Sequence, residues 1–466
     1  MISVRSLIGI GMCALVSLLG SNSVFAQQPA AAPTGTVQER LDVLEKKSDA
    51  PGLWKTLGFT IRGGASVSYN HNFNNPDTNL SQLRTHDANT NTFTPNLAQV
   101  ILERPATAGS ATDRVGFRAR LNFGSDARYS RARINYLPGQ DNTEIDVQEL
   151  YAEYIAPIGN GLLIQAGKIN TALGYETFTS WENPNFSRTF NYNLAQAFTT
   201  TGVRFTYEFS PMVKVMTAVS NGWDNIEDNN KGKIVEGALT LTNFGGRLVN
   251  YFYASHGPEQ SNGRMGAGVN GAFGGVAFPG NAQFCAIGPG GVTFNGCDAT
   301  GRRFVLDYIL TAKVTDMDTL ILELHYGNET RAGFDPAKFA AGEAKHNARW
   351  NAAILYFNHD FNDQWALNSR GEIFEDAGGA RVCTGGVNFN GGNNTCAVSG
   401  INFGAPIFGT PQTLQSYTFT LQYKPAPALI TRTEIRHDRS DKDAFLRGNR
   451  ALDNQTTLAF NVVYLF

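Results

Sequence analysis

Beyond residue 26 this chain has no run of about 18 or more consecutive apolar residues, so nothing in it is able to cross a bilayer as a helix. It has no surplus of positive charge either. Lys and Arg number 38 against 40 Asp and Glu, a formal net charge of -2. That excludes the basic footprint of a nucleic-acid binder, so no nucleic-acid partner is expected. The 7 histidines are scattered and no HExxH occurs, so no metal ligands are assigned. No GxSxG occurs and nothing else specifies a Ser-His-acid triad, so no catalytic residues and no cofactor are expected. The glycine-rich run from Gly263 to Gly275 lacks the strand-then-helix setting of a nucleotide site. The acidic stretch Asp224 to Asn230 reads as a solvated loop in preference to a calcium loop.

Cysteine is scarce, with 5 in the chain. Cys13 lies in an N-terminal leader: Arg5 is its positive end, Leu7 to Leu19 its apolar stretch, and Val24-Phe25-Ala26 the cleavage signal before Gln27. Residues 1-26 are thus expected to be a signal peptide, and losing Arg5 with it takes the net charge from -2 to -3. The other four cysteines fall in two long Gly/Asn-rich connections, Cys285 with Cys297 and Cys383 with Cys396. In an oxidising compartment these predict two local disulfides, each stabilising by roughly 2–4 kcal/mol.

What the chain has in quantity is glycine (49), phenylalanine (31) and tyrosine (16), at an average of 42% hydrophobic residues. The mean hydropathy is -0.23. A membrane β-barrel produces this average by alternating lipid-facing and lumen-facing residues. The last nine residues show the alternation directly: Leu458, Phe460, Val462, Tyr464 and Phe466 share one face, and Asn461 sits in the middle of the other. Such a strand ending on an aromatic fits a closed barrel, which has no edge to protect.

The same period runs through the chain from Leu53. Strands are predicted around Phe59–Tyr69, Val115–Phe123, Ala132–Tyr136, Leu150–Tyr154, Leu162–Ala166, Val203–Phe209 and Val213–Val219. Further strands centre near Leu239, Tyr251, Leu306, Leu322, Ile354, Leu367, Phe419 and Thr433, and the C-terminal strand makes about sixteen. Short connections fall at Gly124-Ser125, Gly159-Asn160, Ser210-Pro211, Asn243-Phe244-Gly245, Thr315 to Asp318, Asn362-Asp363 and Pro425 to Pro427. They alternate with long ones such as His71 to Ala111, Gly257 to Arg302 and Ala377 to Gln412. The fold class expected is therefore all-β: a transmembrane antiparallel barrel over residues 53-466, with short periplasmic turns and long external loops. Residues 27-52 form a periplasmic linker. In it Val37, Leu41 and Leu44 space a short helix, read either as a surface helix or as a short coiled coil.

Residues 145 to 225 carry motifs in a telling order: Gln148-Glu149, Ala166-Gly167-Lys168, Leu173-Gly174-Tyr175-Glu176, Thr201-Gly202-Val203-Arg204 and Asn221-Gly222-Trp223-Asp224. The stretch resembles the OmpL-like β-barrel porin family of Gram-negative bacteria. That resemblance implies an outer-membrane barrel acting as a diffusion channel, with no catalytic residues to carry over.

If apolar residues face lipid, their neighbours face the lumen. Arg62, Arg118, Arg120, Arg131 and Arg133 then point inward, with Arg118 opposite Arg133 and Arg120 opposite Arg131. A charge on the lipid face would cost ~2–4 kcal/mol near the midplane. Either these arginines simply solvate a polar wall, or they form a basic ladder that draws anions. Glu149 and Glu153 on the next strand offset part of that charge, and Arg204, Glu208, Arg432, Glu434 and Arg436 are further lumen candidates. Asn170 to Phe198 is the third external loop. It carries Glu176, Trp181 and Glu182 among many aromatics, and such a loop is expected to pack into the barrel or over its rim.

The expectation is an outer-membrane porin, a homotrimer passing small hydrophilic solutes with an anion preference. Its partners would be outer-membrane lipid and, through Phe466, the barrel-insertion machinery. A barrel-anchored adhesin and an outer-membrane enzyme are the alternatives.

Overall fold

The computed structural model describes residues 58–127, 144–228, 230, 232–259, 301–333, 346–379, 381–382 and 411–466. The leader, the linker and all four loop cysteines lie outside these residues. So do Arg131 and Arg133.

Sixteen antiparallel strands close into one ring. In chain order they are β1 (Thr60–Asn72), β2 (Thr92–Arg104), β3 (Val115–Phe123), β4 (Ile145–Ala156), β5 (Leu162–Asn170), β6 (Thr199–Ser210), β7 (Val213–Trp223) and β8 (Ile234–Asn243). There follow β9 (Leu248–Pro258), β10 (Arg302–Lys313), β11 (Asp318–Gly333), β12 (His346–Asp360), β13 (Trp365–Asp376), β14 (Gln412–Ala426) and β15 (Leu429–Ser440). A small separate hairpin, β16 (Phe445–Arg447) with β17 (Arg450–Leu452), precedes the last barrel strand, β18 (Asn454–Leu465). Among the described residues no helix is long and apolar enough to cross a membrane; the chain crosses with strands.

Closure occurs between β1 and β18, with Val67 opposite Val462 and Tyr69 opposite Phe460. Gly63 and Phe466 exchange backbone bonds of 2.9 and 3.0 Å at the end of this seam. The alternation read from the C-terminus holds: Val462 and Tyr464 are outward and exposed, while Gln455, Thr457, Ala459, Asn461 and Val463 are buried inward. Near the end that carries the tight turns, outward aromatics gather, among them Phe209, Phe244, Phe361 and Tyr464; Trp365 stacks on Tyr423 at 4.3 Å. Such girdles mark the interface of a bilayer.

The ring corrects three expectations. β2 runs through Thr92–Arg104, a stretch read as part of a long loop. Pro95 and a bulge at Asn96, which is skipped between the pairs Val67–Pro95 and Ser66–Leu97, disguise the alternation, placing Asn96 and Leu97 both inward. Conversely β3 pairs directly with β4, not through the further strand expected between them; Ala132–Tyr136 lies outside the described residues. Gly124-Ser125 is therefore not a tight turn; it opens the connection to β4 at the loop end. With β2 between β1 and β3 the ring has sixteen strands, and Asn170–Phe198 is the third loop at that end.

The interior is divided. Inward positions of β7 to β12 carry an apolar cluster, Met216, Ala218, Ile234, Ala238, Tyr253, Val305, Ile309, Ile321, Ala352 and Ile354, with Glu236, Asp307, Glu323, His325 and Glu329 buried on the same face. The third loop supplies the facing layer with Phe190, Leu194, Ala195 and Ala197. Expecting every inward face to be wet missed this dry half. The inward positions of β1 to β4, β14, β15 and β18 are mostly polar.

Candidate functional site

The third loop leaves β5, turns into the barrel and docks on the far wall. Its short helix α1 (Phe190–Ala195) is wholly buried. The carboxylates of three wall strands hold it. Glu372 of β13 accepts the Phe190 and Asn191 amides at 2.8 and 2.7 Å, taking up free N–H groups of the first helical turn. Glu434 of β15 accepts those of Phe186 and Ser187 at 2.7 and 3.0 Å. Glu323 of β11 accepts the Asn191 side-chain amide at 2.9 Å. Hydrogen bonds to a charged group contribute about 1.5–3 kcal/mol each.

Arginines complete the attachment. Arg370 of β13 donates to Glu176 at 2.7 Å and to the Ser187 carbonyl at 2.8 Å. Arg432 donates to the carbonyls of Ser180 and Asn183, both at 2.9 Å, and Arg436 to that of Arg188. Glu176 also accepts the Thr189 amide and hydroxyl at 2.7 and 2.9 Å, folding the loop on itself. Gly174 has φ +83°, and a side chain there would collide with Gln196, so this turn of the loop requires glycine. Burial pushes the Tyr192 phenol well above its ordinary pKa, so this ring stays neutral against Phe198.

The first loop also enters. Arg84 is fully buried between Asp87 and Asp438 of β15, donating to Asp438 at 3.0 Å. Thr85 meets Asn193 at 2.6 Å, and His86 stacks edge-on to Phe178 at 4.8 Å.

Between the third loop and β1 to β6 lies a chain of ion pairs. Arg62 and Arg118 both hold Glu103, at 2.8 and 2.7 Å. Arg120 meets Glu149 at 2.7 Å and Glu182 at 3.8 Å. Arg118 sits opposite Glu103 and Tyr151, and Arg120 opposite Ile101 and Glu149, so the expected face-to-face arginine pairs are replaced by unlike charges. The reason is β2, which supplies Glu103. Arg62, Arg118 and Glu182 keep 47%, 28% and 34% of their side-chain surface open, whereas Arg120 keeps 4%. The first three are therefore the members of the chain most open to solvent. Glu153 bonds Gln165 at 3.1 Å, Arg204 donates to the Asn170 carbonyl at 2.8 Å, and Trp181 lies against Gly64. Glu208 pairs with Lys214 at the turn end.

Glu176 and Glu182 thus part company: Glu182 faces Arg120, but Glu176 meets Arg370. Sequence reasoning missed Arg370, Glu372, Glu323 and Arg84. The first three were detectable as charges at inward positions of their strands; Arg84 lies in a loop without period. Asp224 is no part of a solvated loop: it is buried and accepts the Phe198 and Thr199 amides at 2.9 and 2.8 Å.

A closed sixteen-stranded ring with an apolar outer face, a charged inner wall and an infolded third loop defines a porin-type barrel of the Gram-negative outer membrane. This chain belongs to the family described as "Putative beta-barrel porin-2, OmpL-like", whose profile matches residues 58–466. Solved structures share the fold. The outer membrane channel DcaP of Acinetobacter baumannii aligns with a TM-score of 0.51 and 9% identity over 88% of this chain and 97% of that chain. Pseudomonas putida OprB, in a high-pH structure, gives 0.52 and 10% over 91% and 97%. A loop L8 deletion mutant of OmpT of Vibrio cholerae gives 0.50 and 11% over 88% and 99%. Comparison with curated protein sequences finds no match.

Proposed function

We propose that this barrel is a passive diffusion channel for small hydrophilic solutes. The observation that carries the reading is the open ion-paired strip of Arg62, Glu103, Arg118 and Glu182 beside an infolded loop, on the inside of a ring whose outside is apolar. Water follows such a strip, and solutes that tolerate both charges follow the water. Arg62, Arg118, Arg120 and Arg204 are offset by Glu103, Glu149, Glu153 and Glu182, so an anion preference drawn from the arginines is weak. The reading includes a homotrimer and recognition of Phe466 by the insertion machinery.

Planar-bilayer recording of the purified protein tests the proposal. Discrete ion-current steps are expected. No conductance from correctly folded protein would favour a barrel that anchors an adhesin or an enzyme.

A further inference from the structure

At the loop end of the dry half, two tryptophans and two arginines stack. Trp350 of β12 lies flat over Gly327, where any side chain would strike its ring. Its indole N–H donates to His325 at 3.2 Å, and His325 is paired with Asp307 at 3.0 Å, which fixes the ring plane. Over the Trp350 ring, 3.8 Å from its centroid, lies the guanidinium of Arg381, which follows β13. Trp223 of β7 is 5.5 Å from the same guanidinium, and Arg303 covers Trp223 at 4.3 Å. All four side chains are buried.

The charges around this stack are unequal. Arg303 binds Glu329 at 2.9 Å and Glu259 at 3.3 Å. Arg381 reaches Glu329 at 3.7 Å, and its amide and that of Val382 donate to Asp376 at 2.7 and 2.8 Å. Three carboxyl groups, of which Glu259 is about half protonated near pH 7, face two guanidinium groups, and without Arg381 they face one. The fully buried Oε1 of Glu329 has no hydrogen-bond donor among the described residues, and Nε and Nη2 of Arg381 have no acceptor. Burial, with Arg303 next to it, lowers the Arg381 pKa to about 9 against the opposing pull of Glu329 and Asp376, and the Trp350 ring supplies a cation–π contact besides. A flat aromatic face, a second ring and a carboxylate oxygen with no donor among the described residues are the parts of a cation-binding cage.

We propose that Trp350, Trp223 and Glu329 form a seat for guanidinium-type cations, filled here by the chain's own Arg381 and open to a cationic solute when Arg381 withdraws. The seat does not depend on the channel reading, because its occupancy is measurable in detergent without a conductance.

Calorimetric titration of methylguanidinium chloride into the full-length protein tests it. Wild-type protein binds weakly, because Arg381 competes for the seat, and Arg381→Ala binds at least about tenfold more tightly. Adding Glu329→Gln or Trp350→Ala weakens that binding by at least about tenfold, the first by removing the ion pair and the second by removing the cation–π face. Arg381→Gln, closer in volume, serves if the alanine variant loses the heat-modifiable gel shift of a folded barrel. In the wild-type protein methylguanidinium should also speed hydrogen exchange at the Arg381 and Val382 amides, which Asp376 protects, and equal sodium chloride should not. No saturable binding to a folded variant, equal binding after the second substitution, binding of acetate instead, or unchanged exchange would each overturn the proposal.

Discussion

Arg370 and Glu176 meet at 2.7 Å across the full width of the barrel. Glu176 belongs to the loop after β5, and Arg370 to β13, which lies halfway round the ring of sixteen strands. Both side chains are buried, so the pair fixes the third loop to the wall farthest from its root. Breaking one partner of a buried pair leaves an uncompensated charge and costs about 3–5 kcal/mol. Arg370→Ala and Glu176→Gln should each free part of the loop and raise single-channel conductance. Arg370→Met with Glu176→Leu should recover much of the lost thermal stability. Conductance equal to wild type in both single variants would mean that Glu372 and Glu434 hold the loop unaided.

Glu103 is shared by Arg62 and Arg118, so the three form one electrostatic unit on the open strip. Arg118→Gln should shift the reversal potential under a salt gradient toward cations, and Glu103→Gln toward anions. Both shifts should fade at 1 M salt, where the Debye length is about 3 Å. Shifts of the same sign would place the strip away from the ion path.

Glu259 lies just past β9, fully buried, and accepts the Trp223 amide at 3.0 Å. Burial, opposed by Arg303 and reinforced by Glu329, pushes its pKa from 4.5 up to about 7. A raised carboxyl pKa means the folded state holds the proton more tightly than the unfolded chain. Its stabilising contribution is complete below about pH 4.5 and is lost as pH rises through 7. Tryptophan fluorescence should titrate with a midpoint near pH 7, and Glu259→Gln should abolish that step. A transition that persists in the variant would assign it to another group.

Phe466 ends the closing seam, and its ring lies against Gly63. Phe466→Asp should reduce outer-membrane insertion in cells several-fold while leaving barrel refolded in detergent nearly as heat-resistant as wild type. Equal insertion of wild-type and variant chains would remove the proposed role of the terminal aromatic in assembly.

The legible parts of this protein are those where one face of a strand meets lipid. β18 reads itself because Leu458, Phe460, Val462 and Tyr464 must be apolar while Asn461 need not be. β2 does not, because a bulge and Pro95 break its period. The apolar inner wall of β7 to β12 was hidden for a related reason. In β12, Ala352, Ile354 and Tyr356 face inward beside outward Ala353, Leu355 and Phe357, and such a run does not say which face is dry. The third loop announced its burial through its aromatics but not its destination.

The sequence by itself determined the alternation, the sorting of turns from loops beyond β4 and the membership of Arg62, Arg118 and Arg120 on the inner face, because each depends on neighbours a few residues apart. Only the closed ring decided that Glu103 and Glu149, not arginines, sit opposite Arg118 and Arg120, and that Glu176 reaches Arg370. Strand partners and diametric contacts are set by register and closure around the whole barrel. A single missed strand therefore changes who faces whom without disturbing any local pattern.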